Sequence, residues 1–157
     1  MTTKTTSSHH VDSDRGIDGN KKIKGRKEHI VTDVLGLPLA LVIHAANIFD
    51  GTGAKMVFEN LAFKYPRLKT ILADGGYRGD DLAQLAKRYG WNLSVVLRPN
   101  ESSKKFNVIP KRWIVERTFS WIENFRRLVT DFEFLSESAL AMLQTSFIML
   151  LLNKLFK

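Results

Sequence analysis

Asp74 follows the apolar run Ile71-Leu72-Ala73 and precedes two glycines. A short apolar run closed by glycines reads as a strand, so Asp74 falls at a carboxyl end, where open α/β sheets gather their chemistry. A carboxylate there can hold Mg²⁺, which takes oxygen ligands in octahedral geometry, and the glycines let a phosphate backbone come close. Asp-Gly-Gly is also an ordinary turn, and residue types alone leave both readings open. Glu116 offers a second carboxylate. Arg112, Glu116, Ser120, Glu123 and Arg127 recur at steps of three and four and share one helical face. Trp113, Ile114, Val115, Phe119, Ile122 and Phe125 supply the apolar side. A carboxylate ringed by arginines suits a metal site working on phosphodiesters, and equally makes a solvated ion pair of little energetic weight.

Alternating strands and helices would position these two groups. From residue 21 to 27 five of seven residues are basic, namely Lys21, Lys22, Lys24, Arg26 and Lys27. Two β-rich runs follow, His29-Ile30-Val31-Thr32-Asp33 and Leu39-Ala40-Leu41-Val42-Ile43, around Leu35-Gly36, and predict a hairpin. The nearly continuous apolar second run predicts a strand covered on both faces. Val57, Phe58, Leu61 and Ala62 give helical spacing over residues 54–64, stopped by Pro66. A strand is expected over 69–73, a helix capped at Asp80 and ended by Gly90, and a strand over 91–97. Pro110 opens a helix running to about residue 129, and a last helix spans 136–156. Residues 1–20 are rich in Ser, Thr, His, Asp and Gly without apolar period, and read as an irregular tail. The expectation is an α/β fold, a mixed sheet covered by helices.

The chain has 157 residues, enough for one domain. It has no cysteine, which excludes disulfides, thiolate zinc sites, iron–sulfur clusters and a cysteine nucleophile. Twenty-four Lys and Arg against sixteen acids give a net charge of +8, which points to a polyanionic partner such as nucleic acid, or to a basic but ordinary domain. The Thr, Ser and His residues at the front show no signal peptide. Residues 138–153 include Gln144, Thr145 and Ser146, and read as a buried helix rather than a membrane span.

Three ordered segments carry a resemblance. Gly19-Asn20-Lys21-Lys22-Ile23-Lys24-Gly25-Arg26-Lys27-Glu28-His29-Ile30, Ala73-Asp74-Gly75-Gly76-Tyr77 and Arg112-Trp113-Ile114-Val115-Glu116-Arg117-Thr118-Phe119 resemble DDE transposases of bacterial insertion sequences, in the four/five superfamily. Asp33-Val34-Leu35-Gly36-Leu37 and Arg126-Arg127-Leu128 fit as well, so the resemblance covers about residues 15–157. It implies a ribonuclease H-like fold in which three acidic residues bind two Mg²⁺ or Mn²⁺ ions and catalyse DNA strand cleavage and transfer. Carried over, Asp74 is the second Asp of the triad and Glu116 its acid on the long helix. Both become catalytic metal ligands. Arg112 matches the Arg expected four positions before that Glu, whereas Glu123 stands where many relatives carry Lys. Lys21, Lys22, Lys24, Arg26, Lys27, Arg112, Arg117, Arg126 and Arg127 become candidate DNA contacts. The implied partners are transposon ends and target DNA, with self-association or an upstream-frame product besides, and no membrane. The implied location is the bacterial cytoplasm, at the nucleoid.

The front departs from the family pattern. The first Asp belongs to an Asp-Ser strand shortly before Lys-Thr-Thr, and here Lys4-Thr5-Thr6 stands at that point. Val11-Asp12-Ser13 imitates the motif without a strand-forming run, and Asp33 lies by the hairpin turn. The expectation is therefore a domain over 21–157 that lacks its first strand and first acid, either the downstream frame of a split gene or a relic. An inactive DNA-binding fragment that regulates the full enzyme is one alternative. A metal-independent basic interaction protein is the other.

Overall fold

The computed structural model describes residues 1–8, 14–96 and 112–156. Its centre is a long strand, β3 (Ile23–Thr32). On one side β3 pairs antiparallel with β1 (Thr2–Ser7), Thr2 facing Ile30 and Ser7 facing Gly25. On the other it pairs antiparallel with β4 (Pro38–Ala45) and, nearer its start, with β2 (Gly16–Asp18). A parallel pair, β5 (Thr70–Asp74) and β6 (Asn92–Val96), lies beyond β1. The backbone nitrogen of Met1 donates to the Leu72 carbonyl at 2.5 Å and joins the two sheets.

Alternation along β3 and β4 assigns each side chain to a face. Val31, Ala40 and Val42 pack with α1 (Asp50–Leu61) and α2 (Asp80–Arg88), in a core closed by Phe58, Tyr77 and Trp91. Ile30, Leu41 and Ile43 face the other way, against Ile122 of α3 (Arg112–Glu123) and Leu143 and Phe147 of α4 (Ser136–Leu155). The mixed sheet covered by helices is thus formed, and β4 is covered on both faces as its apolar run predicts. Among the described residues α4 alone is long and apolar enough to cross a membrane. Its Leu143, Ser146 and Phe147 are buried.

Residues 1–20 correct the expectation of an irregular tail. Both β1 and β2 form there, so an opening strand is in place from Thr2 onward. The Thr-rich run has no apolar period to read, yet threonine suits a pleated strand, and β3 offers it a partner edge. The basic run is likewise strand: β3 begins at Ile23, not at His29. The long helix expected to reach residue 129 ends at Glu123, followed by a 3₁₀ turn over Arg126–Leu128. Its expected start at Pro110, and the loop before it, lie outside the described residues.

Candidate active site

Asp74 is the last residue of β5. Its Oδ2 accepts from the Thr2 hydroxyl at 3.0 Å, and its Oδ1 accepts from the Gly76 amide at 3.0 Å. The second bond closes a 3₁₀ turn, Gly75–Tyr77, that follows the strand. Gly76 lets two carboxylates crowd in: a Cβ there would lie 3.0 Å from Asp50 Oδ2 and 3.2 Å from Asp74 Oδ1. Asp50 opens α1, and Lys27 Nζ stands 2.9 Å from its Oδ1. Sequence reasoning missed Asp50 because the helix was begun at the first periodic apolar residues, beyond it. An acid in the first helical turn is the signal that would have found it.

Behind Asp74 lies a buried polar cluster. The Tyr77 hydroxyl is 2.7 Å from His29 Nδ1, His29 Nε2 is 2.6 Å from His44 Nε2, and His44 Nδ1 is 2.8 Å from the Ala45 carbonyl. All three side chains are buried. Burial, reinforced by His44 and then Lys27, holds the His29 imidazole down at about 3. Burial also lowers His44. The Tyr77 phenol is pushed well above its usual range by burial first and by the Asp74 and Asp50 carboxylates next.

Glu116 is exposed on α3. Its place relative to Asp74 follows from the contacts of that helix. Lys4 of β1 sits 3.1 Å from Glu123 and 6.0 Å from the centre of the Phe119 ring. Thr2 and Lys4 share one face of β1, and Glu116 and Glu123, two helical turns apart, share one side of α3. Midway along α3, before Glu123, the Thr118 hydroxyl donates to the Gly36 carbonyl and Arg117 Nη2 donates to Leu35, in the β3–β4 turn beyond Thr2. Helix α3 therefore runs alongside β1 in the same direction. Asp74, through Thr2, and Glu116 both lie toward the Thr2 end of that strand. Gly36 permits this docking: its φ is +86°, and a Cβ would press to 3.0 Å on the Thr118 hydroxyl.

The other acids divide plainly. Asp33 accepts from the amides of Leu35 and Leu37 at 2.8 and 2.9 Å, so its carboxylate holds the hairpin turn. Asp12 lies outside the described residues. Among the described residues no group of three or more His, Asp or Glu is placed to hold a metal. The donors near Asp74 are the carboxylate oxygens that Mg²⁺ takes, but the described set does not complete a metal centre.

The nine basic candidates separate as well. Arg26 and Lys27 are corrected: both are buried, because β3 lies in the middle of the sheet. The Arg26 guanidinium, 1% exposed, sits 2.5 Å from Asp131 and 2.7 Å from Asp14, and donates to the carbonyls of Glu133 and Phe134. Lys27 donates to Ile48 and pairs with Asp50. Arg117 lies over Trp113 and Trp121, 4.6 and 4.8 Å from the ring centres, while bonding to the hairpin turn. The side chain of Arg112 is outside the described set. Lys21, Lys22, Lys24, Arg126 and Arg127 are exposed. Both groups lie toward the Ser7 end of β1, where Ser7 pairs with Gly25 and accepts from the Asp131 amide. From Ile30, level with Thr2, to Lys24 is about 20 Å of strand.

The family described as "Transposase DDE domain" has a sequence profile that matches residues 2–152. A Burkholderia cepacia protein whose name assigns it to insertion sequence element IS402 as a transposase is 31% identical over 116 residues, or 69% of this chain. The chain spans 54% of the length of that relative. No solved structure matches it. The mixed sheet between two helical layers is the ribonuclease H-like architecture that the resemblance implied. With nearly its whole length under one profile, the chain belongs to the DDE transposase domain family.

Proposed function

We propose that this chain works in DNA transposition as the larger part of a catalytic domain that cleaves and transfers DNA strands. What supports the reading is that Asp74 meets Thr2 of β1 while Glu123, on the same side of α3 as Glu116, meets Lys4 of that strand. Asp74 and Glu116 would each give carboxylate oxygen to Mg²⁺ or Mn²⁺. Two such ions stabilise charge on the attacking and leaving oxygens of a phosphodiester. A third carboxylate would complete the set, and Asp12 or an upstream Asp-Ser segment would supply it. Lys21, Lys22, Lys24, Arg126 and Arg127 bind the phosphates of transposon ends and target DNA, toward the Ser7 end of β1. The setting is the bacterial cytoplasm, at the nucleoid.

The test is a nicking assay with Mg²⁺ or Mn²⁺ on the 157-residue chain and on the chain joined to an upstream Asp-Ser segment. The joined chain should cut, and Asp74→Ala or Glu116→Ala should abolish cutting. Cleavage that survives Asp74→Ala would overturn the assignment. A second reading is favoured by the exposed basic residues, with no three-acid group among the described residues: the chain alone binds DNA without cutting it and regulates the complete enzyme. DNA binding by the 157-residue chain without nicking would support it.

A further inference from the structure

We propose that Tyr77, His29 and His44 are positioning residues for Asp74, joined in one hydrogen-bond chain whose protons can be arranged in a single way. The proposal rests on the reading of Asp74 as a metal ligand. The order of the protons follows from the end of the chain. The Ala45 carbonyl can only accept, so His44 Nδ1, 2.8 Å away, carries hydrogen. Burial keeps both imidazoles neutral, so His44 Nε2 is bare and accepts. His29 Nε2, at 2.6 Å, must then carry hydrogen, which leaves His29 Nδ1 bare. That atom accepts from the Tyr77 hydroxyl at 2.7 Å. The phenol keeps its proton, because its buried place beside two carboxylates opposes ionisation.

The geometry excludes a looser arrangement. A Cβ on Gly53 would stand 2.3 and 2.4 Å from the two Nε2 atoms, so the backbone of α1 seals the histidine pair and leaves no room for water between them. His29 lies in the middle of β3, opposite Thr3 of β1 and Val42 of β4. Tyr77 is fully buried and is the last residue of the turn whose Gly76 amide holds Asp74 Oδ1. The turn is therefore pinned at one end by β5 and at the other by the phenol. The chain connects the rigid centre of the sheet to the turn that orients the Asp74 carboxylate. A group that must hold a metal within a fraction of an ångström needs such support from residues that never touch the ion.

Imidazole ¹⁵N spectra of the full chain test the proton order, and should show His29 as the Nε2–H tautomer and His44 as the Nδ1–H tautomer. Tyr77→Phe keeps the ring and removes only the donor. Exchange of the Gly76 amide should then rise about tenfold, the equivalent of one buried hydrogen bond, while the Ile30 and Leu41 amides hold their rates. The Mn²⁺ concentration that broadens the Gly75 and Gly76 amides should rise by a similar factor. His44→Gln keeps an acceptor within reach of His29 and should leave Gly76 slow. His44→Asn, too short to reach, should speed it. The opposite His29 tautomer, or Gly76 exchange that moves only in step with the core amides, overturns the proposal. If Mn²⁺ fails to broaden the turn of the unaltered chain, the metal reading of Asp74 falls, and the exchange result alone decides the positioning role.

Discussion

Acid should unfold this protein earlier than its carboxylates require, and His29 sets the amount. Its imidazole is fully buried and held from 6.5 down to about 3. Between those values the unfolded chain binds a proton that the folded chain refuses, so stability rises with pH and is lost as pH falls below 6.5. The slope is about 1.4 kcal/mol for each pH unit and each such group. At pH 5 His29 alone therefore costs about 2 kcal/mol, a sizeable part of the ~5–15 kcal/mol of a typical domain. His44, also lowered, acts in the same direction. Glu28 opposes them, because burial raises its carboxyl and the folded state gains as that group protonates. Urea unfolding at pH 7, 6 and 5 measures the sum, and His29→Gln isolates the imidazole. Between pH 7 and pH 5 the unaltered chain should lose about 2 kcal/mol more than the variant does. The variant, less stable at pH 7, should show a flatter dependence. An unchanged slope in the variant would refute the reasoning.

Three further outcomes follow from the site description. DNA affinity should fall with salt at a log–log slope of about −0.9 per phosphate contacted; replacing Lys21, Lys22 and Lys24 by Ala should flatten it, whereas Arg26→Ala should instead unfold the chain at lower urea by leaving Asp131 buried without its partner. Gly36→Ala should lower stability by about 1–3 kcal/mol in thermal or urea unfolding, since the left-handed backbone there strains any side chain.

What was legible in the sequence was whatever repeats with the period of its element. Val42 and Ile43 face opposite cores, and the unbroken apolar run of β4 announces that. Asp80 and Gly90 bracket α2 closely enough to fix it within a residue or two. Asp74 at a strand end was legible for the same reason, since its strand is short, apolar and closed by glycines. Strand β1 was not, because Thr2 to Ser7 has no apolar alternation and becomes a strand only against β3. The polar half of β3 misled in the opposite direction. Arg26 and Lys27 look like a phosphate-binding run, yet their partners, Asp131 and Asp50, stand far along the chain. No local pattern can announce a buried ion pair whose halves meet only in the fold. The Tyr77–His29–His44 chain was hidden for the same reason: its members come from three separate segments.

The Arg26 clamp also sets a timetable for the growing chain. Its carboxylate partner lies 105 residues downstream, and the bridge from Ser8 to Asp131 spans still more. At ~5–20 residues per second of synthesis, β1, β3 and β4 emerge on the order of ten seconds before Asp131 does. During that interval the guanidinium has only Asp14 among its acidic partners, and it cannot be buried without cost until the segment before α4 arrives. A guanidinium with only part of its final set of partners, in the middle of a nascent sheet, keeps that region wet and discourages pairing with other strands. The residue that locks the finished domain thus guards the unfinished one against premature association.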